Sequence, residues 1–379
     1  MTHRIAHIIT GLQTGGAELM LERLLAHRRQ TDFDHIVICL TGDGPTANRI
    51  RSSGTPVHTL RLRPGFPNPL AVARIRKLLK SEHIDLVQTW LYHADLLGGL
   101  AARSLGLPVI WGMHRSNLDS AFTSRSVIWT AKTCRMLSGL LPARIVCCSE
   151  ASVVAHREFG YAANKMTEIP NGFDLEQFHP DQTARVQFRQ EIGALECDVV
   201  IGTIGRFVPL KNHHMFVTSA GRALAANPNL RFVLVGDGLN ADATELMDWI
   251  AATGHPDRFY LLGRRSDTQT ILNGLDGFAL TSNTEAFPLV LGEAMACQVP
   301  CIATSVGDCA RILGETGWIV PPGDSDACAN AMLALAADPG ERARRGNAAR
   351  ARIATHFAIE TIVGQYNHLW LNTLAGATS

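Results

Sequence analysis

The feature that most constrains this chain is an alternation that runs twice. Short apolar segments of strand length are separated by longer segments whose apolar residues recur at helical spacing. In the first half, strands are expected at Arg4–Ile9, His35–Leu40, Pro56–Leu60, Leu86–Thr89, Val109–Trp111, Arg144–Cys148 and Lys165–Ile169. Helices are expected between them, at Glu18–Arg28, Pro69–Ser81, Tyr92–Leu105 and Ser149–Phe159. Strands alternating with helices imply parallel βαβ units. Strands that are apolar nearly throughout fit a sheet covered on both faces.

The alternation breaks at Ile169-Pro-Asn-Gly-Phe-Asp174, where Pro170, Asn171 and Gly172 favour a turn. A polar stretch, His179–Gln190, follows, and then a second series of strands is expected at Val199–Gly205, Phe232–Gly236, Phe259–Gly263, Gly277–Thr281 and Val299–Thr304. A length of 379 residues is too great for one ordinary domain. The expected division is residues 1–178, residues 179–358 and a terminal segment 359–379. In that last segment Ile362, Val363, Tyr366, Leu369 and Trp370 mark a helix over Ile359–Leu374 that packs back on the first domain. The fold class is α/β, with two Rossmann-like domains.

Charge separates the halves. The whole chain balances, 35 basic residues against 34 acidic, and no nucleic-acid partner is expected. Within Arg61–Ile145, however, 12 basic residues face four acidic ones. That surplus reads either as a patch for phosphates or an anionic membrane, or as scattered solubilising charge. Nine cysteines show no zinc spacing and no disulfide framework. No stretch approaches the ~20 apolar residues that span a bilayer. The expectation is a cytoplasmic protein, with peripheral membrane contact left open.

Two glycine-rich turns follow strands. The first is Thr10-Gly-Leu-Gln-Thr-Gly-Gly-Ala-Glu18, the second Gly202-Thr-Ile-Gly-Arg-Phe-Val-Pro-Leu-Lys211. Glycine lets backbone approach a ligand, and a helix N-terminus offers free amides to an anion. Neither turn is a GxGxxG or a P-loop, so each also reads as a simple tight turn. The second adds Arg206 and Lys211, which together can hold a diphosphate, one as a planar fork and one as a mobile charge. Two fixed cations would neutralise a departing nucleoside diphosphate without metal.

The richest segment runs from Ser282 to Thr304. Glu285 is expected in the loop after a strand, and Glu293 in the second turn of a helix that Pro288 opens. Both carboxylates then lie at the C-terminal edge of a parallel sheet, where such folds bind ligands. A carboxylate there can accept both hydroxyls of a ribose. Two DxD strings, Asp32-Phe-Asp34 and Asp324-Ser-Asp326, resemble metal-binding pairs, but Asp324 reads better as a helix cap. His213 and His214 diverge on a helix. No metal and no cofactor are expected.

In this ordered series the chain resembles the retaining glycosyltransferases of the GT-B fold, family four, the glycosyl transferases group 1. The resemblance rests on Gly15-Gly16-Ala17-Glu18, Asn171-Gly172-Phe173-Asp174, Gly205-Arg206 with Lys211, Val235-Gly236-Asp237-Gly238, Leu262-Gly263, and the pair Glu285 and Glu293. It implies two Rossmann-like domains whose parallel sheets face across a cleft, the first binding acceptor and the second a nucleoside-diphosphate sugar of UDP or GDP type. It implies that Arg206 and Lys211 bind the diphosphate, Glu293 the ribose, and Glu285 the sugar beside the reacting carbon. Backbone amides at Phe287, Leu289 and Val290 would meet sugar and phosphate, where Pro288 removes one donor. Gly15 and Gly16 would approach the phosphates, and Gly263 and Arg264 would flank the base. His114 reads either as a residue near the donor sugar or as a satisfied loop histidine, and Arg115 as a contact to an acceptor phosphate. The implied acceptor is a glycan or a lipid-linked precursor of the cell envelope or of polysaccharide. A non-hydrolysing sugar-nucleotide epimerase and a non-catalytic nucleotide-sugar-binding protein are the alternatives.

Overall fold

In the computed structural model, which describes residues 3–27, 33–63, 68–116 and 123–377, the strands form two separate parallel sheets. The first contains β1 (His3–Ile9), β2 (Phe33–Cys39), β3 (Val57–Thr59), β4 (Leu86–Trp90), β5 (Val109–Met113), β6 (Arg144–Cys147) and β7 (Met166–Glu168). Their order is β3-β2-β1-β4-β5-β6-β7. The second contains β8 (Val199–Ile204), β9 (Leu230–Val235), β10 (Phe259–Leu261), β11 (Gly277–Leu280), β12 (Cys301–Thr304) and β13 (Trp318–Val320), in the order β10-β9-β8-β11-β12-β13. Each order reverses direction once, between β1 and β4 and between β8 and β11. At such a switch the flanking loops diverge and leave room for a ligand.

Two compact units result, Met1–Gly172 with Ile359–Ser379, and Phe173–Ala358. The second begins at Phe173 rather than at residue 179 for a packing reason. Phe173 is fully buried, its amide donates to the Phe357 carbonyl at 2.9 Å, and its ring stacks on Phe287 at 6.0 Å. The stretch read as a polar connection holds a helix, Gln182–Glu191. Asp181 caps it through the amides of Thr183 and Ala184, and Phe188 buries its inner face.

The helix Ile359–Ala377 belongs to the first unit. Ile362, Val363, Tyr366 and Trp370 pack with Ile5, Leu86 and Ile110 in one apolar cluster. Trp370 also meets a polar group inside that core: its Nε1 donates to Gln88 Oε1 at 3.3 Å. His7 and His35 stack beside it with facing ring nitrogens 3.0 Å apart, and Trp90 Nε1 donates to His7 Nδ1 at 3.3 Å. Burial, then the neighbouring His35, holds His7 well below the usual histidine range.

The strand β12 starts at Cys301, not at Val299, because the Val299 amide donates to Ala294 and closes the preceding helix, while Pro300 has no amide to give. Of the nine cysteines, eight are buried and Cys197 is exposed, all as free thiols. No helix among the described residues is long and apolar enough to cross a membrane.

Candidate functional site

The second unit gathers most of the residues that the sequence singled out, at the C-terminal edge of its sheet. Gly205 and Arg206 follow β8, and Lys211 ends a short turn before the helix His213–Ala226. The polypeptides here run very close together. The Gly205 amide donates to the Val235 carbonyl at 2.8 Å, and the Gly236 amide to the Gly263 carbonyl at 2.8 Å. A side chain on Gly236 would collide with the Gly205 carbonyl, so only glycine fits.

Asn212 turns the chain sharply after Lys211. It adopts a left-handed conformation, φ 47°, which asparagine tolerates, and its side chain caps the His213–Ala226 helix through the Met215 amide at 3.1 Å. Thr281, at the end of β11, donates its hydroxyl to the Asn212 carbonyl at 3.0 Å. Asn283 donates its amide to the Leu210 carbonyl at 2.8 Å and its side chain to the Pro209 carbonyl at 3.1 Å. The loops after β8 and β11, the strands flanking the switch, are thus stitched to one another.

That stitching brings Lys211 against Glu285. The Lys211 Nζ lies 2.5 Å from Glu285 Oε1, and the same oxygen accepts from Ser282 Oγ at 2.7 Å. Ser282 is in turn fixed through its carbonyl, which accepts from Thr304 Oγ1 at 2.7 Å. Gly307, at φ 51°, passes directly under the Glu285 carbonyl where a Cβ would clash, and the Asp308 amide donates to Ala286 at 3.1 Å. Gly307 and Asp308 were not among the residues singled out, and Ser282 was named only as the start of its segment. Arg206, by contrast, is exposed and makes no ion pair among the described residues.

Glu293 is buried in the helix Leu289–Ala296, whose cap is Pro288. The first amides of any helix lack internal partners, and those of Leu289 and Val290 stand at the start of this one, directly after the loop that carries Glu285. Phe173 packs its ring where a side chain on Gly292 would stand, which seats this helix. Phe173 of the Asn-Gly-Phe-Asp motif therefore reaches the site by packing. Gly263 turns the chain at φ 59° after β10, and Arg264 beside it is exposed.

His213 is buried beside Lys211, which with burial pushes its imidazole down to about 4; burial is the larger cause. His214 is exposed and packs edge-on against Trp249. Among the described residues no group of three or more His, Cys, Asp or Glu is placed to hold a metal ion. Asp324 accepts from the Ala327 amide at 2.9 Å as a helix cap, and Asp326 pairs with Arg222 at 2.8 Å. Asp34 lies in β2, and Asp32 lies outside the described residues, as does Arg28.

The remaining candidates belong to the first unit. Gly15 caps the helix Gly16–Ala26 directly after the turn that follows β1, and the Glu18 carboxylate folds back over Gly15. His114 follows β5 and stacks on Trp90, the last residue of β4, at 5.0 Å. Neither of its buried ring nitrogens has a partner among the described residues, and burial pushes it down to about 4. Arg115 is exposed, and its carbonyl accepts from Ser152 at 2.8 Å.

Two parallel Rossmann-like units, each with a glycine turn at its switch and one with a lysine–glutamate pair there, have the architecture of the GT-B class. The comparisons agree. The family model described as Glycosyl transferases group 1 matches residues 198–338, and that described as Glycosyltransferase Family 4 matches residues 14–177. The UDP-Gal:alpha-D-GlcNAc-diphosphoundecaprenol alpha-1,3-galactosyltransferase of Escherichia coli is 31% identical over 273 residues, 69% of each chain. The N-acetyl-alpha-D-glucosaminyl L-malate synthase of Bacillus anthracis is 30% identical over 190 residues, 50% of this chain and 49% of that one. A solved structure of Anabaena HepE in complex with UDP-glucose is 25% identical, with a TM-score of 0.85 over 97% of this chain and 99% of that one. The chain belongs to the group 1 glycosyl transferases of family 4 and is a nucleotide-sugar-dependent glycosyltransferase. The epimerase and non-catalytic readings find no support in these relatives.

Proposed function

We propose that the enzyme moves a sugar from a UDP-sugar, with retention of anomeric configuration, to a glycan or lipid-linked acceptor in envelope or polysaccharide assembly. The carrying observation is the 2.5 Å contact between Lys211 Nζ and Glu285 Oε1 at the β8–β11 switch. On this reading the Lys211 ammonium bridges the donor diphosphate and the carboxylate beside the sugar. Arg206, unpaired before donor arrives, closes on the diphosphate from the exposed side. Glu293 takes the ribose hydroxyls, the amides at Phe287, Leu289 and Val290 face sugar and phosphate, and Gly263 and Arg264 flank the base. The first unit binds acceptor, with Arg115 on its phosphate, His114 toward the sugar, and Gly15 and Gly16 toward the phosphates. The UDP form of donor is supported by the UDP-glucose complex of HepE and the UDP-Gal in the galactosyltransferase's name.

Retention is read as a front-face reaction. The bond from the anomeric carbon to the diphosphate oxygen breaks, and the acceptor oxygen bonds to the same face. The acceptor's proton passes to the departing diphosphate, and Lys211 and Arg206 neutralise the charge that develops there. Because two protein cations serve that purpose, activity is expected to survive excess EDTA. Loss on chelation with recovery in magnesium or manganese would place a metal in the reaction.

Calorimetric titration with UDP tests the division of labour between the carboxylates. Glu293→Gln removes charge-assisted bonds worth about 1.5–3 kcal/mol. It should weaken UDP binding about 10- to 100-fold. Glu285→Gln should bind UDP nearly as the parent does, yet transfer sugar far more slowly. The reverse pattern would exchange the two roles.

A further inference from the structure

One face of the first sheet carries a row of polar rings inside an apolar core. His7 on β1, His35 on β2, and Gln88 and Trp90 on β4 fall on the same side by the strand registers. Tyr366 and Trp370 of the helix Ile359–Ala377 cover them. Apolar side chains would fill this space without polar atoms to satisfy, so packing alone does not account for the row.

Its hydrogen bonds run in one direction. An indole N–H only donates, so His7 Nδ1, 3.3 Å from Trp90 Nε1, is the bare nitrogen of its ring. The proton of neutral His7 then sits on Nε2 and is donated to His35 Nδ1 at 3.0 Å. Turning the Trp90 ring over would leave the indole N–H and His7 Nδ1 buried and unpaired. The row therefore fixes the orientation of one indole.

That indole ends β4 at the β1–β4 switch, and the His114 imidazole lies against it, centroids 5.0 Å apart and planes 22° apart. No hydrogen bond among the described residues sets the turn of the imidazole, since both ring nitrogens are buried and without a partner there. The stack is what orients it. The backbone beside the stack is strained. Leu91, directly after Trp90, has φ 73°, a value that leucine avoids, and its amide donates to the Gly112 carbonyl at 3.1 Å. Asp95 ties the same two strand ends, accepting from Thr89 Oγ1 at 2.5 Å and from the Gly112 amide at 3.4 Å. Strain of this kind persists only where neighbours hold it, and it marks places where geometry matters to function.

We propose that Trp90 is a positioning residue for sugar transfer: locked by His7, its ring holds the His114 imidazole in the plane from which a free ring nitrogen meets the donor sugar. This deepens the proposed role of His114 and rests on it.

Steady-state kinetics and nuclear magnetic resonance of the full chain test it together. Trp90→Leu should lower kcat about 10- to 100-fold, the cost of misplacing one group at a reacting centre. KM for the UDP-sugar should move less than about threefold, because the donor-binding residues are untouched. Trp90→Phe keeps an aromatic face and should recover most of the loss. In a His114→Gln background Trp90→Leu should cost almost nothing further, since the group it positions is gone. The His114 ring protons, assigned by their absence from His114→Gln, should lie upfield in the parent, shielded by the indole, and move downfield in Trp90→Leu. Trp90→Leu opens space in a packed core. Where it does not fold, His7→Leu decides, since it leaves the indole but removes its acceptor and should lower kcat with KM unchanged. Parent-like turnover in His114→Gln removes the His114 role and the inference with it. If His114→Gln is slow, three results overturn the Trp90 inference alone: parent-like kcat in the folded Trp90 or His7 variant, losses that multiply in the double variant, or unshielded His114 protons in the parent.

Discussion

Lys211→Ala is expected to lower kcat/KM for sugar transfer by about 10²–10³, the cost of removing one preorganised charge from a developing oxyanion. The geometry adds a second expectation. Lys211 and Glu285 touch, so removing the ammonium leaves the Glu285 carboxylate held by Ser282 with its cation gone. The two residues should therefore behave as one device. The double variant Lys211→Ala/Glu285→Gln should be scarcely worse than the poorer single variant, whereas independent sites would multiply their losses. Arg206 makes no ion pair among the described residues, so Arg206→Ala should lower turnover without disturbing Glu285. Circular dichroism and melting temperature confirm folding in each case. Near-normal turnover in Lys211→Ala removes the diphosphate assignment, and multiplied losses in the double variant remove the coupling.

Acid should unfold the first unit before the second. His7 and His156 are fully covered in the first unit, and His114 has both ring nitrogens buried there. Burial pushes His114 and His156 down to about 4 and lowers His7 well below its usual range. A histidine kept neutral by the fold binds its proton more readily once unfolded. Stability is therefore undiminished above the unfolded value near 6.5 and falls as pH drops toward the folded value. By about pH 4.5 His114 and His156 each cost roughly 2–3 kcal/mol, against a total stability on the order of 5–15 kcal/mol, and His7 acts in the same direction. Buried Asp95 acts oppositely: burial raises its carboxyl, so it favours the folded state as pH falls. It is one group against three. The second unit carries a single such histidine, His213. Limited proteolysis between pH 6.5 and 4.5, with fragments assigned by mass, should show first-unit cleavage at a higher pH. Simultaneous loss of both units would refute the histidine account.

Much of the architecture was legible in the sequence, because parallel strands covered on both faces are written as unbroken apolar runs. Elements that lack such a run were missed. The strand β13 is three residues long at a sheet edge, with Ile319 39% exposed, so it has no run to show. The helix Gln182–Glu191 buries only Ala184 and Phe188, yet Asp181 ahead of them was a usable cap signal. At the site, the residue types and their placement after particular strands were readable. The pairing of Lys211 with Glu285 was not, since 74 residues separate them and only the adjacency of β8 and β11 joins their loops. Gly307 was equally silent: its importance lies in a collision that a sequence does not record.

The first unit is made from segments on either side of the second, and that sets an order of assembly during synthesis. Residues 173–358 are contiguous, so the second unit has all its parts as soon as they leave the ribosome. The first unit, although translated earlier, lacks the layer that Tyr366 and Trp370 lay over its core until the end. At 5–20 residues per second the interval is on the order of 10–40 s. Throughout it, apolar surface around Ile5, Leu86 and Ile110 stands open to chaperones or to other nascent chains. The half of the enzyme that is born first is the half that finishes last.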